Sequence, residues 1–337
     1  MTIRSCGTRR GRRGRRGRRG RSGFTLTELM IVVVLVALIG ASLSTLLIRQ
    51  QRFHRAVVSV TDSRARMRDI ATILPTDLRS VSSAGSDILT FDVNSVQFRA
   101  FVGTSIACDY PSAASDSLIG LPPVRLASGS RLSAWINPMA PGDLAFVYSD
   151  GTEAGNADDS WTRFTIIDTL PSTNSTWCPS TQTPAYTTAA DNSEKRYRIR
   201  LSAKPSATAH KTGAVIRFAR EVKYSAYEAA DGQWYVGYQT CTPDANPTTP
   251  GTCGTRELLA GPIMAATSDT LTSGFFLVFY NQTGTRITDV ANKAQIARIS
   301  IGIRTASESL RQATATKLAS VAGGDSLRIV VGIRNRI

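Results

Sequence analysis

Few side chains in this sequence are placed to do chemistry. The two histidines, His54 and His210, lie far apart, and neither belongs to a motif with metal-ligand spacing. The sequence contains no HExxH, GxxxxGK[ST], GxSxG or CxxC motif, so the signatures of several large enzyme classes are missing from it. No cofactor is expected, and an enzyme is the least favoured class of function.

One carboxylate is conspicuous because of its surroundings. Glu28 is the only charged residue between Phe24 and Ile48, a stretch whose centre reads MIVVVLVALI. A helix of this length would extend roughly 37 Å at about 1.5 Å per residue, which is enough to cross a bilayer. A carboxylate inside such a span costs a few kcal/mol, so Glu28 is a candidate functional residue.

The positive charge of the chain is concentrated just before this apolar run. The 337 residues carry a net charge of +15, from 40 Lys+Arg against 25 Asp+Glu. Residues 1–23 hold ten arginines and no acid, so residues 24–337 carry 30 bases against 25 acids, a net charge of +5. A basic nucleic-acid-binding globule is therefore disfavoured. The arginines should stay in the cytoplasm, which places the C-terminal bulk outside the membrane.

Three interpretations of this N-terminal region compete: a cleaved secretory signal peptide, a plain signal anchor and a prepilin leader with its helix. Residues 21–29 read RSGFTLTEL. This context closely resembles the prepilin signature of type IV pilins, in which a Gly is followed by Phe, by a Glu five positions into the mature chain, and by an unbroken apolar stretch. The motif covers about 25 residues and is highly specific, so the prepilin interpretation is favoured.

The resemblance implies specific roles for three residues. Prepilin peptidase would cut after Gly23 and methylate the new amino group of Phe24. The retained helix would first anchor the chain in the inner membrane and later pack in a filament core against other pilins. Glu28 would then pair with the Phe24 amino group of a neighbouring subunit, which would remove most of the cost of its burial and set the axial register. The alternative is a carboxylate that merely lies near the headgroups.

Beyond Ile48 the apolar pattern predicts that the helix continues in amphipathic form. The pattern alternates steps of four and three residues and comprises Phe53, Val57, Val60, Met67, Ala71, Leu74, Leu78 and Val81. We expect this stripe to pack on the protein's own sheet. Pro75 is expected to kink or locally break the helix near Leu74.

The remainder of the chain alternates with a period of two, which predicts short antiparallel strands. The candidate strands are residues 96–102, 143–148, 163–168, 197–201, 216–224, 234–238, 275–280, 297–303 and 327–333. Asp231-Gly232 predicts a hairpin turn. From about residue 214 to 305 the order resembles the head domains of W-type minor pilins and J-type pseudopilins, whereas residues 172–193 and 310–324 fit that pattern less well.

The predicted fold is thus α+β and pilin-like, a long N-terminal α-helix packed on an antiparallel β-sheet head. Its expected parts are a basic leader (residues 1–23, removed), a transmembrane or filament-core half of the helix (24–48), an amphipathic half (49–83) and an extracytoplasmic head (84–337).

Four cysteines remain once Cys6 is assigned to the presumed leader. If the head lies outside the inner membrane, oxidation is expected, and four cysteines allow three pairings. Cys241 with Cys253 is favoured, because Pro243, Pro247, Pro250 and Gly251 make the segment between them compact. Cys108 with Cys178 then follows by elimination. Buried free thiols remain the alternative.

An acidic segment offers oxygen ligands of the kind that calcium prefers. It comprises Asp150, Glu153, Asn156, Asp158 and Asp159. Its spacing does not match an EF-hand, so a solvated loop is favoured and no metal is expected.

Together these features predict a minor pilin at or near the tip of a type IV pilus, where it would prime assembly. A head of roughly 250 residues favours a few copies at one end of a fibre. The alternatives are a J-type pseudopilin of type II secretion, a DNA-uptake pilus subunit, and a membrane-anchored extracytoplasmic binding protein. The expected partners are prepilin peptidase, other pilins and the inner membrane. DNA is a possible partner, but the sequence shows no interleaving of aromatic and basic residues to support it.

Overall fold

The structure, a computed structural model, describes residues 25–83, 85–110, 117–151, 158–173, 176–181, 185–206, 210–305 and 326–333. The chain divides into two compact units, residues 1–55 and 56–337. One helix, α1, runs from Leu26 to Arg79 and belongs to both of them. The α+β class is confirmed, with a long apolar N-terminal helix followed by a β-rich head.

In the second unit, α1 buries one stripe of apolar side chains. Met67, Ile70, Leu74 and Leu78 are buried and pack in the core of the head, as their steps of three and four residues require. The stripe is shorter than predicted, because Phe53 is 72% exposed and Val57 is 46% exposed.

Pro75 does not interrupt α1, so a break at this position was a wrong prediction. The helix continues to Arg79. Leu74 and Leu78 are fully buried on either side of the proline, and this packing holds the last turn although Pro75 lacks an N–H group.

Among the residues that the structure describes, the head contains fifteen strands in two sheets. They are Ile88–Asp92 (β1), Ser95–Ile106 (β2), Leu118–Leu121 (β3), Ala134–Trp135 (β4), Leu144–Ser149 (β5), Ser160–Ser172 (β6), Arg196–Leu201 (β7), Val215–Glu228 (β8), Trp234–Thr242 (β9), Thr252–Cys253 (β10), Glu257–Ile263 (β11), Phe275–Tyr280 (β12), Arg286–Ile287 (β13), Arg298–Arg304 (β14) and Ser326–Gly332 (β15). Short 3-10 helices cover Ala189–Asp191 and Val290–Gln295. All strand pairs among the described residues are antiparallel.

The larger sheet is organised around β8. One edge of β8 pairs with β2 over nearly its whole length. Its other edge pairs with β5 through residues 216–219 and with β9 through residues 222–228. Strands β6, β7 and β3 continue the sheet beyond β5. The smaller sheet has the order β13-β12-β14-β15.

The head has two apolar cores that share the long strands β2 and β8. The first core joins α1 to one end of these strands and to the inner face of the smaller sheet. The second core joins their other end to β3, β5, β6 and β7. Residues 107–214 between β2 and β8 contribute strands β3–β7, so this segment forms a lobe with its own core.

Each of the nine candidate strands lies within or overlaps a strand of the structure, and the hairpin at Asp231-Gly232 joins β8 to β9. Gly232 has φ +71° there, a left-handed conformation that suits glycine. The sequence analysis missed β1, β3, β4, β10, β11 and β13. Three of these have only two residues each, too few to show a period.

Candidate functional site

The N-terminal motif forms the start of α1. Gly23 and Phe24 lie outside the described residues, whereas Glu28 occupies the first turn of the helix. The amide and the hydroxyl of Thr25 both donate to Oε2 of Glu28 at 3.4 Å. The Glu28 N–H donates to Oγ1 of Thr25, also at 3.4 Å. This reciprocal arrangement is a capping box, and it places a carboxylate at the positive end of the helix dipole.

The segment after this cap is apolar on all sides. Residues Leu26–Arg55 are long and apolar enough to cross a membrane. They contain an 18-residue window with a mean hydropathy of 2.8, and none of that window is buried within the chain. Every side chain from Leu26 to Ile48 is exposed. So continuous an apolar surface is unfavourable in water, and it requires lipid or another apolar surface to cover it.

The structure contains two disulfide bonds in the head. Cys108 bonds with Cys178 across 70 residues, and their Cα atoms are 5.2 Å apart. Cys241 bonds with Cys253 across 12 residues, and these two residues lie directly opposite each other on β9 and β10. These pairings are the same as those favoured from the sequence.

Residues 242–252, here called the cystine loop, fold over a polar region of the larger sheet. The Gln97 amide donates to the Gly251 carbonyl at 2.9 Å and to Oε1 of Glu221 at 2.6 Å. The Gly251 N–H donates to the same Glu221 oxygen at 2.6 Å. The Arg99 guanidinium donates to the carbonyl of Pro247. The sheet thus holds the loop by hydrogen bonds to its backbone.

Two further cations fasten the cystine loop from its sides. Lys293 donates to the carbonyl of Thr248 at 3.3 Å, and Arg163 donates to that of Asp244 at 3.0 Å. Burial lowers the pKa of Arg99, and burial together with nearby Arg99 lowers the pKa of Lys293. Sequence reasoning identified the loop by its prolines but missed these cations, because they are contributed by three separate segments of the chain.

Two ion pairs stabilise the larger sheet, and one hydrogen-bonded pair joins this sheet to the end of α1. Arg220 Nε and Asp143 Oδ1 are 2.7 Å apart, and Arg217 Nη2 and Asp87 Oδ2 are also 2.7 Å apart. The Tyr224 hydroxyl donates to Oδ2 of Asp77 at 2.6 Å and thereby links β8 to the end of α1. The two aspartates of the ion pairs are almost fully buried, which is typical of structural charge pairs.

The acidic segment does not assemble a metal site among the residues that the structure describes. Glu153 and Asn156 fall outside those residues. Asp159 accepts a hydrogen bond of 2.6 Å from the Tyr148 hydroxyl, and this bond raises the pKa of Tyr148 to about 12. His210 is buried beside Phe164, with ring centroids 5.9 Å apart, which is a core environment.

Comparison with known proteins bears on the N-terminal region. A family model, the prokaryotic N-terminal methylation motif, matches residues 18–44, which include Gly23, Phe24 and Glu28. No curated protein and no solved structure matches the chain significantly. With the apolar helix and the antiparallel head, the match to this motif supports a type IV pilin-like protein.

Proposed function

We propose that this chain is a minor pilin that is incorporated at or near the tip of a type IV pilus, where it primes assembly. Prepilin peptidase would cleave between Gly23 and Phe24 and methylate Phe24. The observation that carries this proposal is the methylation motif placed directly before an apolar helix with no cover of its own. The role is structural, so the chain is a filament subunit and not an enzyme.

Glu28 is proposed to set the register between subunits. Among the residues that the structure describes, its carboxylate is hydrogen-bonded to the neighbouring Thr25 alone, at the long distance of 3.4 Å. In an apolar filament core, an ammonium group would satisfy this carboxylate far better than a threonine hydroxyl. The methylated amino terminus of an adjacent subunit supplies such a group.

The proposed orientation follows from charge. The ten arginines of residues 1–23 would stay in the cytoplasm, and the head would lie outside the inner membrane. The disulfides fit an oxidising compartment of this kind.

The proposed position at the tip rests on the size of the head. Residues 107–214 add a second lobe with its own core to the lobe that holds α1. Heads of this bulk would crowd one another if they were repeated closely along a thin fibre, whereas a few copies at one end avoid that crowding. A J-type pseudopilin of type II secretion and a DNA-uptake pilus subunit would use the same N-terminal chemistry.

Mass spectrometry of the mature N-terminus tests the first step. We expect a chain that begins with N-methylated Phe24. A start between Ala41 and Thr45, or an intact leader, would overturn the proposal. A membrane-anchored binding protein, the alternative of a different class, would retain its leader.

Substitution of Glu28 tests the register. Glu28→Ala and Glu28→Gln should each reduce recovery of the subunit in sheared filaments at least tenfold, because neither side chain can pair with an ammonium group. The matched control is Asp69→Ala, which removes an exposed carboxylate from the same helix. The unfolding midpoint of the head should not change in any of these variants. Normal incorporation of Glu28→Ala would refute the pairing role.

A further inference from the structure

The outer face of the smaller sheet gathers four arginines from three strands. Arg286 lies on β13, Arg298 and Arg304 on β14, and Arg328 on β15. In register, Tyr280 of β12 lies between Arg286 and Arg298. We call this surface the arginine face. It is opposite the inner face, whose phenylalanines and isoleucines pack in the first core.

Aromatic rings alternate with these guanidinium groups. The Arg298 guanidinium carbon lies 5.3 Å from the ring centroid of Tyr280, and that of Arg304 lies 4.9 Å from the ring centroid of Phe276. The Phe276 ring packs closely against Gly302, where a Cβ atom would come within 2.0 Å of the ring. Basic and aromatic side chains are thus interleaved across the strands.

The arginines of this face have no carboxylate partner among the residues that the structure describes. Arg328 Nε donates to the Ser300 hydroxyl at 2.9 Å. Arg304 donates to the carbonyls of Thr270 and Ser273 at 3.0 Å and 2.7 Å. These neutral acceptors orient the guanidinium groups without neutralising them, so the described residues of the face carry a net positive charge.

The dimensions of the face fit a chain of anions better than one small anion. Arg298 and Arg304 are six residues apart on β14, a distance of roughly 20 Å at about 3.4 Å per residue. A groove of about 270 Å³ runs along the same surface, lined by Phe276, Val278 and Tyr280 with three of the arginines. The exposed Leu271, with 80% of its surface accessible, lies at one end of the groove.

We propose that the arginine face binds single-stranded nucleic acid. Guanidinium groups recognise phosphates, and both aromatic rings and arginine planes stack on unpaired bases. A flat four-stranded face cannot enter the major groove of a duplex, which admits a helix or a two-stranded ribbon. A single strand can instead stack its bases on Tyr280 and on the exposed arginine planes, since Phe276 is buried, and lay its phosphates along the arginines. This proposal does not depend on the proposed assembly function.

Photo-cross-linking tests the proposal with the full chain in a neutral detergent. The probe is a single-stranded DNA of about 12 nucleotides that contains 5-bromouracil, because such a strand can reach across the whole face. Cleavage after lysine separates the face, on peptides 224–293, 294–317 and 318–337, from the arginine-rich leader on peptide 1–195. We expect cross-links on these three peptides of the face. Cross-links confined to peptide 1–195 would overturn the proposal.

Matched variants test whether the arginines of this face are responsible for the cross-linking. A triple variant should reduce the cross-linking yield on the peptides of the face at least tenfold. It combines Arg286→Gln, Arg298→Gln and Arg328→Gln. The control combines Arg125→Gln, Arg131→Gln and Arg200→Gln, which remove the same charge from exposed positions of the other lobe. The control should stay within about twofold of the wild type. An equal loss of cross-linking in the two triple variants would refute specific binding at the arginine face.

Two further measurements keep the test decisive. The single variant Arg298→Glu leaves the other arginines intact, and it should lower the yield at least fivefold while the head keeps its unfolding midpoint. With four phosphate contacts, a fourfold increase in salt should weaken binding about 50-fold. Competition by inorganic polyphosphate as strong as that by unlabelled single-stranded DNA would overturn the assignment to nucleic acid.

Discussion

The bond between Tyr224 and Asp77 joins α1 to the sheet, and its removal should destabilise the head in a pH-dependent way. The Tyr224 side chain is fully buried, stacks on Phe98 with ring centroids 5.8 Å apart, and donates to Asp77 at 2.6 Å. Burial raises the pKa of Asp77, and the hydrogen bond from Tyr224 offsets only part of this effect. Tyr224→Phe would keep the ring and delete the one group that compensates the carboxylate.

The size of the effect follows from the ionisation state of Asp77. When the carboxyl group is ionised, as an increase in pH favours, loss of a hydrogen bond to this charged group costs about 1.5–3 kcal/mol. Near pH 4 a larger fraction of the carboxyl is protonated, and the loss should fall towards the value of a neutral bond, about 0.5–1.5 kcal/mol. Because the folded-state pKa of Asp77 lies above its ordinary value of 3.8, protonation favours the fold. The contribution of Asp77 protonation to the unfolding free energy is fully present below pH 3.8, and it is lost as the pH rises through the raised folded-state pKa.

Urea unfolding followed by tryptophan fluorescence measures the effect. All four tryptophans lie within residues 56–337, so the signal reports on the head alone. Tyr227→Phe is the control, since it removes a hydroxyl from the same strand. Asp77→Asn removes the buried charge and should flatten the pH dependence between about pH 4 and 6. Two outcomes would refute this reasoning. In the first, Tyr224→Phe loses as much unfolding free energy at pH 4 as at pH 7, or more. In the second, the loss is below about 0.5 kcal/mol at both pH values.

The same assay checks three further predictions. Replacing both Cys241 and Cys253 with Ser should lower the unfolding free energy by roughly 3 kcal/mol, whereas the same change at Cys108 and Cys178 should cost roughly 4 kcal/mol, because the second loop is longer. Equal losses would contradict the argument from loop length. Leu74→Ala should cost about 2–5 kcal/mol, and Ile73→Ala, at a position 41% exposed, less than about 1 kcal/mol. Asp143→Ala should cost about 3 kcal/mol or more, because it leaves Arg220 without its partner; a cost below about 1 kcal/mol would show that the pair is not structural.

The sequence predicted the local features of the fold well. The apolar run from Phe24 to Ile48 has one possible structure in lipid, a helix, and its length alone indicates a membrane span. The strands around residues 216–224 and 275–280 were recognised because their side chains alternate or form continuous apolar runs. A two-residue strand such as β10 has no period, and it exists because the cystine loop returns to β9.

The features that the sequence did not reveal depend on contacts between distant segments. The cations that hold the cystine loop come from positions as far apart as Arg99 and Lys293, and no spacing in the sequence relates them. The extent of the stripe on α1 was overestimated for a similar reason. The pattern shows which side chains share a face of the helix, but only the fold shows that the head buries this face from Met67 onwards.

The two proposals use different residues of the chain, since assembly is assigned to Phe24, Glu28 and the apolar start of α1, and nucleic-acid binding to the outer face of the smaller sheet. Its inner face shares the first core with α1, and Ser83, just after the helix, donates to the Ile296 carbonyl beside that sheet at 2.7 Å. The arginine face is the reverse side of the same strands, so it lies away from the part of the helix that the head covers. Loss of cross-linking in Arg298→Glu with normal incorporation into filaments would separate the two functions within one molecule.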